Sequence, residues 1–201
     1  MKLTRKLGLA AATCVALAGM AVSQSWQPLK NKAPFNADTM AILQDGTVLV
    51  HQYTASGSAP SQVWKLTPDS SGSYVHGTWT QLASLPSGYG PLYFSEQVLP
   101  DGRVIYAGGE YNYGSAIWTK LAAIYNPLTN VWATLAPPAG WTSIGDAQSV
   151  VLPNGTYMQA NALTSQQALL NASTLTWTPL APGRRTATMK RASTFFRMGR
   201  C

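Results

Sequence analysis

Cysteine and charged side chains are scarce in this chain of 201 residues. It has two cysteines, Cys14 near the N-terminus and Cys201 as the last residue, and only 10% of its residues are charged. A framework of disulfides is therefore excluded as the source of stability. The low charge and the seven tryptophans also exclude a disordered chain, whereas 17 glycines and 13 prolines are typical of an all-β protein with many turns.

The N-terminus resembles an export signal. Three cations precede an apolar run at residues 7–22, and the small residues Ala21 and Ser23 follow. We predict that residues 1–23 are a cleaved signal peptide, which implies a secreted or periplasmic protein without a stable membrane anchor. A membrane-spanning anchor is the alternative, but the run is short for one. Lipid attachment at Cys14 is a further alternative, but the sequence lacks the large aliphatic residue expected three positions before the cysteine of a lipoprotein.

The formal charge of +7 arises from the two ends of the chain. Between residues 24 and 183 there are five cations and seven acids, a net charge of −2. A basic chain often binds nucleic acid. Because the excess lies outside the central region, we predict no nucleic-acid partner.

Four tryptophans reveal an internal repeat. They open the phrases WQPLKNKAP, WTQLASLP, WATLAPP and WTPLAPG at steps of 53, 53 and 45 residues, namely at Trp26, Trp79, Trp132 and Trp177. The predicted repeat region is 24–183, with units at about 26–79, 79–132 and 132–177 and the start of a fourth from residue 177. Repeats of this length indicate a modular array.

Each unit contains two apolar runs joined by a turn. The turns place Gly46, Gly102 and Gly155 after Asp or Asn, a pair that predicts a two-residue hairpin turn with positive φ at both positions. A third run follows, and a fourth surrounds the next tryptophan. No stretch after residue 23 has a helical period. Four short strands in about 50 residues predict one blade of a β-propeller, in which each blade stacks on the next.

The second unit, LPDGRVIYAGGEYN followed by AAIYNPLTNVW, resembles a kelch repeat. The family pattern is a Gly-Gly pair, a tyrosine and a tryptophan, here Gly108, Gly109, Tyr125 and Trp132. The first and third units are degenerate at the glycine and tyrosine positions. The chain is also similar to the central kelch propeller of galactose oxidase-like proteins. This resemblance implies an all-β fold of about three blades plus the start of a fourth, with inner strands around a central channel.

The last segment, residues 184–201, departs from the repeat. It contains six cations and no acid, and the Asp-Gly turn expected near residue 199 is missing. One legal coding of the segment, read one base earlier, encodes DEEGFDLLPDGTL, which restores the missing strand, turn and strand. We therefore interpret residues 184–201 as a non-native tail produced by a frameshift. The alternative is a basic binding tail.

Three acids are candidates for a polar ring around the channel. Asp38, Glu96 and Asp146 lie near the start of the first strand of each unit, where they would suit a cation or sugar hydroxyls. Solvated acids at strand ends are the simpler interpretation. His51 and His76 lack a third ligand, so we predict no metal site and no cofactor.

Aromatic residues in two loops are the other candidates for binding. Tyr111, Tyr113 and Trp118 fall in EYNYGSAIW, and Trp141 falls in PPAGWTSIGD. Aromatic platforms in loops suit sugars or peptides, whereas packing between blades is the structural alternative. No nucleophile elbow or phosphate loop is present.

The sequence therefore predicts an exported binding module for a carbohydrate or protein, with oligomerisation possible through unpaired blade surfaces. The alternative is the N-terminal part of a galactose oxidase-like oxidoreductase. Its copper ligands, which in that family include a cysteine-linked tyrosine, match no residue of this chain.

Overall fold

The computed structural model describes residues 25–54 and 60–181. The predicted signal peptide at 1–23 and the interpreted tail at 184–201 lie outside these ranges. Every regular element among the described residues is a β-strand, so no described helix could cross a membrane.

Twelve of the strands form three four-stranded antiparallel sheets, which we call blades 1 to 3. Blade 1 contains β1 Asn36–Ile42, β2 Val48–Tyr53, β3 Val63–Thr67 and β4 Thr78–Gln81. Blade 2 contains β6 Ser95–Val98, β7 Val104–Ala107, β10 Ala122–Asn126 and β11 Val131–Thr134. Blade 3 contains β12 Ser149–Val151, β13 Tyr157–Ala160, β14 Gln167–Asn171 and β15 Thr176–Pro179. The predicted four-stranded blades are confirmed.

A fourth, three-stranded sheet was not predicted. It consists of β5 Pro91–Leu92, β8 Tyr111–Asn112 and β9 Ser115–Ala116, in the order β5-β8-β9. It joins the segment that precedes β6 to the connection between β7 and β10. We call it the small sheet.

The blades stack through their apolar faces. One core lies between blades 1 and 2, where Leu49 and Val63 pack with Val104 and Tyr106. A second core lies between blades 2 and 3, where Ile105 and Ile124 pack with Tyr157 and others. The first strand of blade 2, β6, contacts both β1 and β12. The first strands of the three blades therefore adjoin one another, as inner strands around an axis do.

The repeated tryptophans pair with the third strand of each blade. Trp79 lies opposite Leu66, Trp132 opposite Tyr125 and Trp177 opposite Leu170. Aromatic and large aliphatic cross-strand pairs stabilise a sheet edge and bury surface between blades. The kelch-type tyrosine and tryptophan are thus one cross-strand pair, and leucine replaces the tyrosine in the other two blades.

Trp26 does not share this arrangement. It precedes β1, belongs to no strand and is fully exposed at 102%. Each of the other repeat tryptophans is paired with the third strand of the blade that precedes it in the chain. No described strand precedes Trp26, so it has no such partner among the described residues. The prediction that Trp26 is a structural repeat residue is wrong for the described chain.

The Asp-Gly and Asn-Gly turns also differ from prediction. Gly46, Gly102 and Gly155 have φ between 79° and 86°, but the residues before them do not have positive φ. In each turn the glycine N–H donates to the leucine three residues earlier, as Gly102 does to Leu99 at 2.9 Å. These are three-residue loops built on a type I turn. The Asp or Asn side chain accepts the N–H two residues later and stabilises this form.

Candidate functional site

The predicted site residues can be placed by the direction of the strands. Neighbouring strands of a blade are antiparallel. The start of the first strand, the last residues of the second and the start of the third therefore lie at the same end of the sheet. The registers Ser95 to Ala107 and Ala107 to Ala122 show this for blade 2. We call this end of the blades the mouth end. Asp38, Glu96 and Asp146 lie at the mouth end.

Glu96 and Asp146 line the same cleft. It lies between the start of β6 and the start of β12, has a volume of about 230 Å³, and is bounded mainly by polar residues. Its walls are Phe94, Ser95, Glu96, Gln97, Asp146, Ala147, Gln148 and Ser149. We call it the axial cleft. The structure therefore brings two of the three predicted acids together.

Asp38 of blade 1 lies near Glu96, but its carboxylate interacts with His51. Its Oδ2 lies 3.2 Å from Nδ1 of His51, whose Nε2 lies 2.9 Å from the carbonyl oxygen of Pro60. Because a carbonyl oxygen only accepts, Nε2 carries a proton and donates to Pro60. The His51 side chain is fully buried against Phe94 and Tyr106. Both ring nitrogens are engaged, so His51 is a packed core residue.

Glu96 is a buried carboxyl group in a polar cluster. The pKa of Glu96 is raised to about 7, mainly by burial and to a smaller extent by the nearby Asp38 carboxylate, while the hydroxyls of Tyr106 and Thr39 lower it. These two hydroxyls and Oε1 of Glu96 are buried and form no hydrogen bond of normal geometry. The Tyr106 and Thr39 hydroxyls nevertheless lie close enough to lower the pKa of the Glu96 carboxyl group. Around neutral pH, Glu96 is therefore divided between its neutral and its ionised form.

A metal centre is not supported by this arrangement. The described residues contain no group of three or more His, Cys, Asp or Glu side chains placed to hold a metal ion. His76 lies exposed in the connection between β3 and β4, at the opposite end of blade 1 from His51.

The small sheet presents tyrosines at the mouth end. Tyr113 is 47% exposed and Tyr111 is half-buried. Sequence analysis missed Tyr93, which is 58% exposed and whose ring lies 6.0 Å from that of Tyr111 at 72°. We call Tyr93, Tyr111 and Tyr113 the tyrosine surface. Tyr93 follows β5, and only the pairing of β5 with β8 brings it to Tyr111.

The backbone of the tyrosine surface adopts left-handed conformations. Tyr93, Tyr113 and Trp118 have φ of 54°, 48° and 46°. Tyr113 and Gly114 are the two turn residues of a type I′ hairpin between β8 and β9, since both have positive φ. Non-glycine residues rarely adopt this conformation, and such strain is concentrated at functional sites.

Asn112 holds the small sheet to the preceding loop. Its Oδ1 accepts the N–H of Gly90 at 2.8 Å, and its Nδ2 donates to the carbonyl of Gly88 at 2.9 Å. The backbone N–H of Tyr113 donates to Gly90 at 2.8 Å. Tyr111 and Tyr113 therefore belong to a hydrogen-bonded hairpin of the small sheet, where the sequence predicted a loop between strands.

The two tryptophan candidates take part in packing. Trp141 is only 4% exposed and belongs to the core between blades 2 and 3. A turn through Gly140, in which the N–H of Trp141 donates to Pro138 at 3.1 Å, directs it inward. The prediction of an accessible platform is wrong for Trp141. Trp118 is half-buried, and its ring lies against Gly145.

The glycine pair connects the tyrosine surface to the axial cleft. Gly109 donates its N–H to the carbonyl of Gly145 at 2.8 Å, which brings Glu110 beside the segment that contains Asp146. A Cβ on Gly108 would lie 2.2 Å from that same carbonyl oxygen. Glycine is therefore required where the connection after β7 crosses the start of blade 3.

Comparisons with known proteins support the kelch resemblance. No protein-family model matches the chain. It is 31% identical to the Kelch-like protein terF of Aspergillus terreus over 120 residues, which are 53% of this chain and 25% of that protein. The chain thus spans about a quarter of the length of this curated relative.

Solved structures show the same fold. YjhT superposes with a TM-score of 0.54 at 18% identity, covering 76% of this chain and 52% of that one. A fungal alcohol oxidase of the AA5 family, in complex with copper, superposes with a TM-score of 0.50 at 21% identity, covering 72% and 29%. The described residues therefore form three blades of a kelch-type β-propeller.

Proposed function

We propose that the chain is an exported binding module that takes its ligand at the mouth end of the kelch-type blades. The observation that carries this proposal is the convergence of the axial cleft and the tyrosine surface on one end of the molecule. Ligand sites are typically concave and combine aromatic side chains with a few polar groups that orient the ligand. The signal-like residues 1–23 support the export part of the proposal.

Of the two ligand classes, carbohydrate and protein, a protein is favoured. Residues 111–115 read Tyr-Asn-Tyr-Gly-Ser, the composition that dominates protein-binding loops in antibodies. Tyrosine supplies contact area at low entropy cost, and Asn, Gly and Ser supply adaptable hydrogen bonds. The rings of Tyr93 and Tyr111 stand at 72° to each other and form a corner, which suits a side chain better than the flat face of a sugar.

The proposal is tested by unbiased screening for ligands. The purified full chain is panned against a displayed random-peptide library and, separately, applied to a glycan array. We expect selected peptides to bind the wild type and to lose binding in the double variant Tyr93→Asn/Tyr113→Asn. Asparagine tolerates left-handed backbone, so this variant removes two rings without added strain.

A matched control is Leu128→Ala. Leu128 is 94% exposed in the turn between β10 and β11, at the opposite end of blade 2. Selected peptides should bind Leu128→Ala as they bind the wild type. Glycans bound in place of peptides would transfer the proposal to the carbohydrate class. If neither screen yields a ligand sensitive to the double variant, the mouth end is not a binding face.

The alternative function is that of an oxidoreductase related to galactose oxidase-like proteins. Similarity to the fungal alcohol oxidase is compatible with it at the level of fold. Because the described residues offer no group of three or more metal-ligating side chains, copper ligands would have to come from elsewhere. No specific observation favours this alternative over the binding module.

A further inference from the structure

We propose that the partner at the mouth end is a polypeptide segment that carries lysine or arginine side chains, held by the tyrosine surface and the neighbouring carboxylates. This inference rests on the proposed function and names the chemistry of the ligand. It is carried by exposed rings and by the distribution of charge.

The first observation is the accessible π surface. Tyr93 and Tyr113 expose 58% and 47% of their surface, and the rings of Tyr93 and Tyr111 stand at 72° to each other. A cation that enters the corner between two rings lies over one face and beside the other. Cation–π contacts with tyrosine contribute about 0.5–2 kcal/mol each, depending on desolvation.

The second observation is that acids collect at the same end. Four acids lie at the mouth end, namely Asp38, Glu96, Glu110 and Asp146. Among the described residues, Lys120 lies at the same end and carries a positive charge. Glu110 follows directly on the glycine pair and precedes Tyr111. Glu110 and Asp146 form no ion pair or side-chain hydrogen bond with another described residue. Their carboxylates are therefore available to a cationic partner.

The acids at the opposite end are engaged locally. Asp101 pairs with Arg103 at 2.6 Å and accepts its backbone N–H. Asp45 accepts from Thr47, and Asp69 accepts from Ser71 and Ser73. Hydrogen bonds of this kind stabilise turns and leave little capacity for a ligand. Asp38 at the mouth end is likewise engaged with His51, so Glu110 and Asp146 are the described mouth-end carboxylates without a partner of this kind.

The combination selects among partners. Carboxylates beside aromatic rings attract ammonium and guanidinium groups and repel phosphates and acidic peptides. Arginine stacks on aromatic faces and binds carboxylates in a bidentate manner, so a segment with several basic side chains can use both features. Charge complementarity therefore favours a basic segment over a neutral or acidic one.

The test is a titration of labelled peptides followed by fluorescence anisotropy. Three peptides of equal length share a Gly-Ser background and carry Arg and Lys, Gln, or Glu at the same positions. We expect the basic peptide to bind the full chain more tightly than the other two. Its affinity should fall as salt is raised, because screening weakens exposed charge pairs.

Variants separate the two contributions. Tyr93→Asn/Tyr113→Asn should weaken binding of the basic peptide by roughly 5-fold or more, consistent with the loss of cation–π contacts. Glu110→Gln should weaken it by about 2- to 5-fold, the range of an exposed ion pair. The control Leu128→Ala should bind like the wild type.

Two results would overturn the inference. One is equal affinity for the basic and the Gln peptides, which would leave the mouth end as a binding face without preference for cations. The other is unchanged binding of the basic peptide to the double tyrosine variant, which would place the contact elsewhere. Failure of the proposed function differs from both, since the library and the array would then yield no ligand at the mouth end.

Discussion

Tyr113 occupies a backbone position that suits another residue better. It is the first turn residue of the type I′ hairpin, with φ of 48°, and Gly114 follows it with φ of 80°. Asn-Gly is the favoured pair for this turn, so we expect Tyr113→Asn to raise the free energy of unfolding by about 0.5–1 kcal/mol. Chemical denaturation measures this. If the variant is instead less stable, the tyrosine ring contributes to the fold. Its presence at a position that favours asparagine would then be explained by stability and not by binding.

Gly108 tests the close approach of blade 2 to blade 3. Gly108 and Gly140 have similar φ, 80° and 76°, but a Cβ at Gly108 would clash with Gly145 whereas one at Gly140 meets nothing within 4 Å. Both alanine variants pay for the left-handed backbone, about 1 kcal/mol. We expect Gly108→Ala to lose about 2 kcal/mol more through displacement of backbone. Equal losses in denaturant titrations would show that the crowding is relieved without cost.

Residue-scale features were predicted unevenly. Three repeat tryptophans and the Gly-Gly pair could be found because their spacing in the chain marks them, although the same spacing also marked the exposed Trp26. Tyr93 could not be found, since its partner Tyr111 reaches it only through the pairing of β5 with β8. Trp141 was misjudged because a turn at Gly140, invisible in the apolar pattern, reverses its direction into the core.

At the scale of elements, β6 carries a pH-dependent contribution to stability. The pKa of Glu96 is about 7 in the folded protein against an ordinary value of 4.5. The native state therefore binds more protons than the unfolded state between these values, and stability falls as pH rises through that window. The contribution is at most about 3 kcal/mol, since each pKa unit corresponds to about 1.36 kcal/mol.

The variant Glu96→Gln should remove this loss. We expect Glu96→Gln and the wild type to have similar unfolding free energies at pH 5 and the variant to be the more stable at pH 8. Denaturant unfolding at both pH values measures the difference. A difference that does not change with pH would mean that Glu96 is ionised throughout the range and is better solvated than its position beneath Thr39 and Tyr106 indicates.

The cross-strand tryptophans should differ sharply from Trp26. Trp132 is 8% exposed and packs with Tyr106 and Tyr125, whereas Trp26 is fully exposed. We expect Trp132→Ala to lose about 3–5 kcal/mol and Trp26→Ala to change stability by less than about 0.5 kcal/mol. Urea titrations followed by circular dichroism compare them. A comparable loss for Trp26→Ala would mean that Trp26 is buried in solution after all.

Element types were predictable and turn geometry was not. Alternating apolar runs around Asp-Gly and Asn-Gly predicted the hairpins, but the proline or glutamine before the Asp or Asn adds a residue to the turn. Pro100 and Pro153 suit the second position of a type I turn, so Asp101 and Asn154 take the third and only the glycine is left-handed.

At the scale of the whole molecule, the described blades form part of a ring. Closed propellers contain four to eight blades, and each blade covers the next. Blade 1 has a face on which Leu29 and Phe35 pack but where Met40 and Ile42 of β1 remain 64% and 67% exposed. We predict that such open surfaces permit oligomerisation; export and the frameshift interpretation likewise remain predictions.

The fold could be predicted because the length and strand pattern of a sequence repeat indicate the structure of each unit. Three similar units imply three similar sheets, and stacking follows from the apolar faces. The small sheet breaks the repeat, since the described parts of blades 1 and 3 carry no sheet of this kind. Nothing in the spacing of the units could have indicated it.

We expect a ligand to bind at the mouth end of the blades. Hydrogen exchange of the full chain, followed by mass spectrometry with and without the basic peptide, tests this most directly. We predict slower exchange in residues 90–94 and 109–118 and no change in the turns at 43–47 and 99–103 at the opposite end. Protection confined to those turns, or spread evenly over the blades, would show that the ligand does not bind at the mouth end.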